Sequence, residues 1–318
     1  MSSVVRFAGK IRPVAPYLAT EDEAIDRAKM LASRIAEGAS HRDRQRILPH
    51  DEMELVAQSG LLGITVPDDF GGADISNPFL AEVVAILSQA DSSLGQIPQN
   101  HFYILEVLRL AGSEDQKRFF FSRALAGEHF ANALAETGNR TAGDINTRLV
   151  ADGAGYRLSG RKYYSTGAIF CDWLGVFAVD PKDRVVMALI PRHADGVAII
   201  DDWAGFGQRT TASGTVTIDN VYVPADCLVG QNGVFHEPNT LGSLGQLLHA
   251  AVDLGIARAA FADMVEFVRT KSRGNSSLGI ETARNDPLTI ARTGPVAVKS
   301  EAASASLERA GRRVDIAQ

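Results

Sequence analysis

Two short stretches in the middle of the chain combine strand-forming residues with hydroxyl, amide and glycine residues. The first covers residues 131–137, the second covers residues 160–167, and a polar loop at 138–144 separates them. Backbone groups at strand ends can bond the edge of a flat heteroaromatic ring, and neighbouring hydroxyls can complete its hydrogen bonds. The two stretches therefore predict a binding surface for a planar ring.

Helical patterns flank these stretches on both sides. Before residue 127, apolar residues recur at helical spacing, and Thr20 with Glu23 has the spacing of a capping box. Between 129 and 223, short segments rich in Val, Ile, Tyr and Phe alternate with turn residues, which favours a small antiparallel barrel or sandwich. The helical period returns at Thr240. The sequence thus predicts an α+β protein with three domains: a helical domain at 1–127, a β-domain at 128–235 and a helical domain at 236–318.

The apolar stripe of the last helix ends without an obvious partner in the sequence. A long apolar face needs a surface to pack on. We therefore expect an incomplete C-terminal helical bundle or a contact between subunits that covers this face.

Composition excludes several classes of protein. The chain of 318 residues has a net charge of −6 and a pI near 5.7, so it lacks the excess of positive charge that is typical of proteins that bind nucleic acid or an anionic membrane. No apolar run approaches the roughly 20 residues that span a bilayer, and we identify no signal peptide. The two cysteines, Cys171 and Cys227, form neither a disulfide framework nor a metal site. We interpret both as structural thiols and expect a reducing cytoplasm.

The chain resembles the acyl-CoA dehydrogenase superfamily along its whole length. Each matching stretch is weak alone, but together they occur in the order that the family requires. The stretches are 133–137 with 142–144, 160–167, 207–214 leading to 221–224, and 254–260. The family's fold is a helical domain, a small β-domain and a helical bundle, and its cofactor is a flavin. Residues 131–136, 164–168, 246–251 and 286–289 resemble more closely the branch of reduced-flavin monooxygenases, which includes dibenzothiophene desulfurisation and sulfur-acquisition enzymes.

Two departures from the dehydrogenase pattern distinguish these possibilities. Acyl-CoA dehydrogenases use a glutamate base, but the matching stretch here reads Leu244-Gly245-Gln246, and the alternative position of the base lies beyond residue 318. The family's Arg-x-x-Phe-Gly motif, which grips the adenylate of FAD, is replaced by residues 269–274, without Phe-Gly. Both departures favour FMN over FAD and oxygen chemistry over dehydrogenation.

The resemblance implies a set of residues that contact the flavin ring. A flavin needs a hydrogen-bond acceptor for N3–H and donors at O2, O4 and N5. The backbone of Leu134, Glu136 and Thr137 can serve the pyrimidine edge, and Ser165 or Thr166 can reach N5. The alternative is that both hydroxyls belong to ordinary strand or turn residues.

The rest of the cofactor needs a surface for the ring face and cations for the phosphate. Trp203 can cover a ring face, although a tryptophan in the core would look the same in sequence. Arg273, with Lys271 nearby, is the candidate for phosphate and would reach a neighbouring subunit's flavin, as in the family. Its alternative is a solvated basic loop. Arg140 and Arg209 are weaker candidates.

Oxygen chemistry on a reduced flavin needs a dry pocket and a hydrogen-bond donor beside the reacting oxygen. By analogy with the family, His101 and Tyr103 face this site from the fourth long helical segment, and Asn132 and Ser165 add hydrogen-bonding groups. A single histidine on an apolar helix is often structural, and this alternative stays open for His101.

These observations predict a flavin-dependent monooxygenase that takes FMNH2 from a separate reductase and uses O2 to oxidise a small organosulfur compound. We expect a homo-oligomer, a dimer or tetramer, with no nucleic-acid or membrane partner and no bound metal. Two alternatives remain: an FAD-dependent acyl-CoA dehydrogenase, and a truncated flavin-binding subunit without activity.

Overall fold

The computed structural model describes residues 13–138, 141, 144–231 and 233–318. Within them, helices form the two ends of the chain and strands form the middle. The N-terminal helices are α1 (Glu21–Ala36), α2 (Ala39–Gln45), α3 (His50–Gln58), α4 (Asn77–Ala90), α5 (Ser92–Gln96), α6 (Gln99–Ala111) and α7 (Glu114–Leu125). The C-terminal helices are α8 (Leu241–Thr270) and α9 (Pro287–Ala317).

The helix starts follow the capping signals in the sequence. The Glu23 amide donates to Thr20 Oγ1 over 3.2 Å at the start of α1. At α7, Ser113 and Gln116 form a reciprocal capping box, in which each side chain accepts from the other residue's amide. Both sites satisfy backbone donors that a helix N-terminus otherwise leaves unpaired.

The middle of the chain forms one sheet in the order β6-β7-β3-β2-β4-β5-β8, with β1 paired to β4. Its strands are β1 (Phe130–Ala133), β2 (Arg148–Asp152), β3 (Gly155–Lys162), β4 (Trp173–Val179), β5 (Val185–Pro191), β6 (Val197–Ile200), β7 (Thr215–Pro224) and β8 (Leu228–Val229). The acyl-CoA dehydrogenase-like order of helical, β and helical parts that the sequence predicts is confirmed.

One feature of the β-domain differs from the prediction. We expected an antiparallel barrel or sandwich, but the sheet is mixed, because β1 and β2 both pair with β4 in parallel, with Phe130 opposite Trp173 in the first pair. The chain must cross from one end of the sheet to the other between these strands, and alternation of residues in β1 carries no information on strand direction. The β2–β3 and β4–β5 pairs are antiparallel, as expected.

Two apolar cores hold the fold together. The first lies between α6, α7 and the sheet, where Leu105, Phe120 and Phe121 join Phe130 and Trp173. The second lies between the N-terminal helices and the two C-terminal helices, and its largest interface is α4 against α8. The first core therefore crosses the border at 127/128 between helices and strands.

The C-terminal helices form a long antiparallel pair. Asp286 caps α9 by accepting from the Leu288 amide, and Pro287 occupies the first helical turn, where a missing amide costs nothing. Apolar side chains stay exposed along the pair, among them Phe267, Leu288 and Val298. In the described part of the chain, we find no helix with both the length and the apolar character needed to cross a bilayer.

Candidate functional site

The two stretches that the sequence singles out lie side by side. The Tyr163 amide donates to the Ala135 carbonyl over 2.9 Å. Four residues later, Gly167 packs against His129, and a Cβ on that glycine would lie 3.3 Å from the His129 ring. The second stretch therefore contacts residue 135 at Tyr163 and residue 129 at Gly167, so the two segments run in opposite directions.

The second segment changes neighbours at Tyr164. This residue has a φ of 52°, in the left-handed region, and its side chain is exposed. Beyond it, the Ser165 amide donates to the Gly214 carbonyl over 3.1 Å and the Gly167 amide donates to the Thr211 carbonyl over 3.1 Å. Residues 163–167 therefore bridge the segment after β1 and the segment before β7.

Two buried polar atoms, one in this bridge and one on β1, have no hydrogen-bond partner among the described residues. They are Ser165 Oγ and Asn132 Oδ1. A buried polar group without a partner costs about 1–3 kcal/mol, so such atoms are uncommon unless a ligand or water satisfies them. They lie in the two stretches that the sequence predicts to bind a planar ring. A hydroxyl and an amide oxygen fit a flavin ring that presents both donors and acceptors at its edge.

Three hydroxyls continue from this point into the protein. Thr166 Oγ1 lies 2.7 Å from Ser213 Oγ, and Ser213 Oγ lies 2.8 Å from Thr211 Oγ1. Thr211 Oγ1 in turn donates to the Gln208 carbonyl over 3.0 Å. We refer to Thr166, Ser213 and Thr211 as the hydroxyl chain.

A buried ion pair holds the segment after β1 in place. Lys162 Nζ lies 2.7 Å from Glu136 Oε1 and also donates to the Leu134 carbonyl over 3.2 Å. Glu136 further accepts from the Thr147 hydroxyl over 2.7 Å and from the Asn146 amide over 2.7 Å. The Glu136 side chain is thus committed to the protein, which leaves only its backbone to contact a cofactor.

The charge on Glu136 is strongly stabilised. Burial raises the pKa of this carboxyl, but the hydrogen bonds from Lys162, Thr147 and Asn146 outweigh burial and lower the pKa to about 2. Burial lowers the pKa of Lys162, and Glu136 opposes that shift. The pair links β3 to the segment that follows β1.

The structure gives His101 a structural position. The side chain is fully buried, its Nε2 bonds the Leu62 carbonyl over 2.7 Å, and its Nδ1 accepts from the Phe130 amide over 3.1 Å. Burial, together with the neighbouring His129, lowers the pKa of His101 to about 3. Because both ring nitrogens are used and the ring stays neutral, this geometry does not support the catalytic role that the sequence suggested for His101.

Tyr103 lies on the same helix, two residues further on, and faces the start of α8. Its ring would lie 3.8 Å from a Cβ added at Gly245. The side chain is half-buried, and burial raises the pKa of its phenol, which therefore stays protonated near neutral pH. Tyr103 can offer a hydrogen-bond donor at the junction of α6, α8 and the β-domain.

Trp203 lies against the second segment. Its ring contacts Tyr164 edge-on, with 6.2 Å between ring centroids, and its Nε1 donates to the Gln208 carbonyl over 3.0 Å. Arg46, the residue directly after α2, donates to the Trp203 carbonyl over 3.1 Å and forms an ion pair with Asp201. The N-terminal helices therefore hold the loop that carries this tryptophan.

Other predicted cofactor residues lie in different surroundings. Leu134 and Thr137 are exposed on the segment after β1. Arg273 is exposed beyond the C-terminal end of α8, roughly 37 Å along that helix from Gly245 at 1.5 Å per residue. Arg273 therefore lies at the opposite end of α8 from the Gly245 position that faces Tyr103. Arg140 lies outside the described residues.

Neither cysteine is placed for chemistry. Cys171 and Cys227 are buried and free of disulfides, and the Cys171 thiol donates to the Ala168 carbonyl. Burial raises the pKa of both thiols, so neither is a thiolate near neutral pH.

Sequence reasoning missed three residues of this site: Lys162, Thr211 and Ser213. All three lie in stretches that the sequence marked, but none was assigned a role. Lys162 shares its strand face with the buried Leu158, and a lysine at a buried position requires an acidic partner. Thr211 and Ser213 could not be found from strand alternation, because Ala212 between them has a φ of 47°, outside the extended region.

Comparison with known proteins agrees with this arrangement. Three family models match in sequence order: the acyl-CoA dehydrogenase N-terminal domain at residues 21–128, the middle domain at 131–221 and a C-terminal domain at 247–318. The chain belongs to the acyl-CoA dehydrogenase family.

Relatives within this family include oxygen-using enzymes. The chain is 32% identical to dibenzothiophene monooxygenase of Mycolicibacterium goodii, over 93% of this chain and 74% of that protein. It is 29% identical to the probable FMNH2-dependent monooxygenase SfnC of Pseudomonas putida, over 95% and 76%. Among solved structures, FMN-bound TdsC of Paenibacillus sp. A11-2 is 32% identical and superposes with a TM-score of 0.85, over 92% of this chain and 76% of that one.

Proposed function

We propose that the chain is a monooxygenase that uses reduced FMN and O2 to oxidise a small organosulfur compound. The observation that carries this proposal is the pair of buried, unpartnered atoms, Ser165 Oγ in the segment after β3 and Asn132 Oδ1 on β1. The names of the relatives, which refer to dibenzothiophene and to FMNH2, support the substrate class and the cofactor.

The reaction balances with these reactants. One oxygen atom of O2 joins the sulfur, the other leaves as water, and two electrons and two protons come from the reduced flavin. When bound, the reduced flavin supplies the electrons that activate O2. A separate reductase would regenerate it.

The chain's own residues have distinct roles in this proposal. The backbone of Leu134, Glu136 and Thr137 binds the pyrimidine edge, while Ser165 and Thr166 bond the central ring. Lys162 keeps the first of these segments in position by its bond to the Leu134 carbonyl. These contacts orient the ring against the sheet.

The open side of the ring needs a wall that excludes water. Trp203 closes one part of it, held by the Gln208 carbonyl and by Arg46. Tyr103 donates its phenolic proton towards the substrate or oxygen, and the Asn132 amide oxygen accepts from the edge of the ring. The start of α8 offers no base, since Leu244 and Gly245 precede the exposed Gln246. This absence of a carboxylate in residues 244–246 argues against α-proton abstraction from an acyl-CoA.

The cofactor phosphate requires a second copy of the chain. Arg273 is exposed and lies far along α8 from its own site, so we assign it to the flavin of a neighbouring subunit. The exposed apolar side chains of α8 and α9 support a homo-oligomer. The two buried, free thiols are consistent with a protein that functions in a reducing cytoplasm.

Oxygen uptake tests this function. The purified chain, reduced FMN from an added reductase and a panel of sulfides, sulfones, sulfonates and thiophenes should give uptake that rises with one class of compound and a product one oxygen atom heavier. A bound flavin identified as FAD, bleached by an acyl-CoA without oxygen, would replace this proposal with a dehydrogenase. If neither FMN nor FAD binds, the chain is not a flavoenzyme.

A further inference from the structure

The hydroxyl chain has a fixed direction because of where it ends. The Gln208 carbonyl can only accept, so the Thr211 proton points to it across 3.0 Å. Each hydroxyl has one proton to donate. With the Thr211 proton used, the 2.8 Å contact between Thr211 and Ser213 needs the proton of Ser213.

The same count fixes the last hydroxyl. Because the Ser213 proton points to Thr211, the 2.7 Å contact between Ser213 and Thr166 needs the proton of Thr166. Reversing the chain would leave two oxygens, those of Thr211 and Gln208, 3.0 Å apart without a proton between them. The arrangement therefore leaves Thr166 Oγ1 with lone pairs, and no proton, for a further partner.

All three side chains of the hydroxyl chain are shielded from water. Water molecules could otherwise donate to them and allow the hydrogen bonds to point in the opposite direction. Thr211 is 2% exposed, and Thr166 and Ser213 are each 8% exposed. The backbone on both sides is tied as well, since Gly167 donates to the Thr211 carbonyl over 3.1 Å. Trp203 Nε1 also donates to the Gln208 carbonyl and keeps it in place.

We infer that Thr211, acting through Ser213, holds the Thr166 hydroxyl as a hydrogen-bond acceptor and thereby makes the site select the reduced form of the flavin. This inference rests on the proposed function, in which Thr166 bonds the central ring of the flavin, and it takes N5 as the atom that Thr166 contacts. That nitrogen carries a hydrogen in the reduced flavin and only a lone pair in the oxidised flavin. An acceptor at Thr166 bonds the first and repels the second. Thr211 and Ser213 are positioning residues, which need not touch the cofactor.

The test compares the affinity of two flavin forms for the full chain. Binding of FMN is titrated in air by flavin fluorescence, and binding of photoreduced FMN is titrated without oxygen. The wild type should bind reduced FMN about tenfold more tightly, which corresponds to a midpoint potential about 30 mV higher than that of free FMN. T211V and S213A should each lower this ratio about threefold to tenfold, since Thr166 can then turn its proton towards oxidised N5.

Three further variants make the comparison specific. T211S keeps the hydroxyl and should keep the wild-type ratio. T217V makes the same change as T211V on β7, where Thr217 contacts the Ala198 carbonyl, and should also keep it. T166V should abolish the preference. Thermal unfolding of each apo variant shows whether T211V still folds, and S213A supplies the second measurement if it does not.

The possible failures are distinguishable. If T166V alters the ratio but T211V and S213A keep the wild-type value, the direction of the hydroxyl chain does not set the preference, and the inference is overturned. If T166V changes neither affinity, Thr166 does not face N5, which overturns the inference but leaves flavin binding intact. If no variant, including the wild type, binds either form, the proposed function fails with it.

Discussion

Lys162 Nζ and Glu136 Oε1 lie 2.7 Å apart, and both side chains are almost completely removed from solvent, with 0% and 5% exposed. The pair fixes the backbone of residues 134–136 to the end of β3, because Lys162 also bonds the Leu134 carbonyl. The backbone that we propose to bind the pyrimidine edge of the flavin therefore depends for its position on two side chains that do not point towards that edge.

Removal of one partner should be costly. K162M leaves the Glu136 carboxylate buried without its cation, so the free energy of unfolding should fall by about 3–5 kcal/mol in denaturant titrations. The matched control is R312M, which breaks the exposed pair between Arg312 and Glu308 and should cost less than about 1 kcal/mol. A K162M protein as stable as R312M would show that the buried pair does not hold the segment.

The same carboxyl predicts an acid limit of stability. The pKa of Glu136 is lowered from 4.5 to about 2 on folding, so its stabilising contribution is complete above pH 4.5 and is lost as pH falls through 2. The stability difference between wild type and E136Q should therefore shrink between pH 4.5 and 2, measured by denaturant unfolding at several pH values. A difference that stays constant over this range would contradict the assignment.

His101 predicts a second pH effect at a higher range. Its pKa falls from 6.5 to about 3 on folding, so the unfolded chain takes up the proton first and stability decreases as pH falls from 6.5 towards 3. H101Q, which keeps a donor for the Leu62 carbonyl, should be about 1–3 kcal/mol less stable at pH 8 but should lack this part of the slope. H249Q, a change at an exposed histidine of α8, is the control and should keep the wild-type slope.

Ser165 should separate stability from binding. Its hydroxyl is buried without a partner, so S165A should leave the apo protein as stable as the wild type or more stable by up to about 1 kcal/mol. Its affinity for FMN should nevertheless fall about threefold to tenfold in a flavin titration. S33A, on the exposed side of α1, should change neither quantity. Unchanged FMN affinity in S165A would remove this residue from the cofactor site.

Arg46 should affect the site from a distance. R46M removes the bonds to Asp201 and to the Trp203 carbonyl, which frees the loop that carries Trp203. The chain has two tryptophans, so the part of the wild-type tryptophan fluorescence that W203F lacks comes from Trp203. In R46M that emission should shift to longer wavelength and FMN affinity should fall about twofold to fivefold. R44M, at an exposed position of α2, is the control and should match the wild type. An R46M emission spectrum identical to that of the wild type would show that Arg46 does not hold the loop that carries Trp203.

The sequence carries most of the fold because its signals are local. The capping residues Thr20 and Ser113, the turn residues of the strands and the apolar periods of α1 and α8 each depend on neighbours a few residues away. The parallel pairing of β1 with β4 was not predictable in this way, since it joins Phe130 to Trp173 across 43 residues of chain.

The site was predictable only in part, for the same reason. The two ring-binding segments are visible as hydroxyl-rich strand ends, and the family pattern gives their cofactor. The partners of His101 are not visible, because Leu62 and Phe130 lie 39 and 29 residues away from it. Without them a buried, neutral histidine cannot be told from a catalytic one, and the hydroxyl chain likewise depends on a contact between Thr166 and Ser213 across 47 residues.

The apolar core shared by α6, α7 and the sheet has a consequence for how the protein can be divided. A fragment that ends near residue 127 would expose Phe120 and Phe121 and would leave His101 without its partner at Phe130. Secondary structure and family models place a domain border there, but the residues on its two sides should unfold cooperatively. The N-terminal helices and the β-domain should unfold in one transition, and hydrogen exchange should protect β1 and α6 to the same degree.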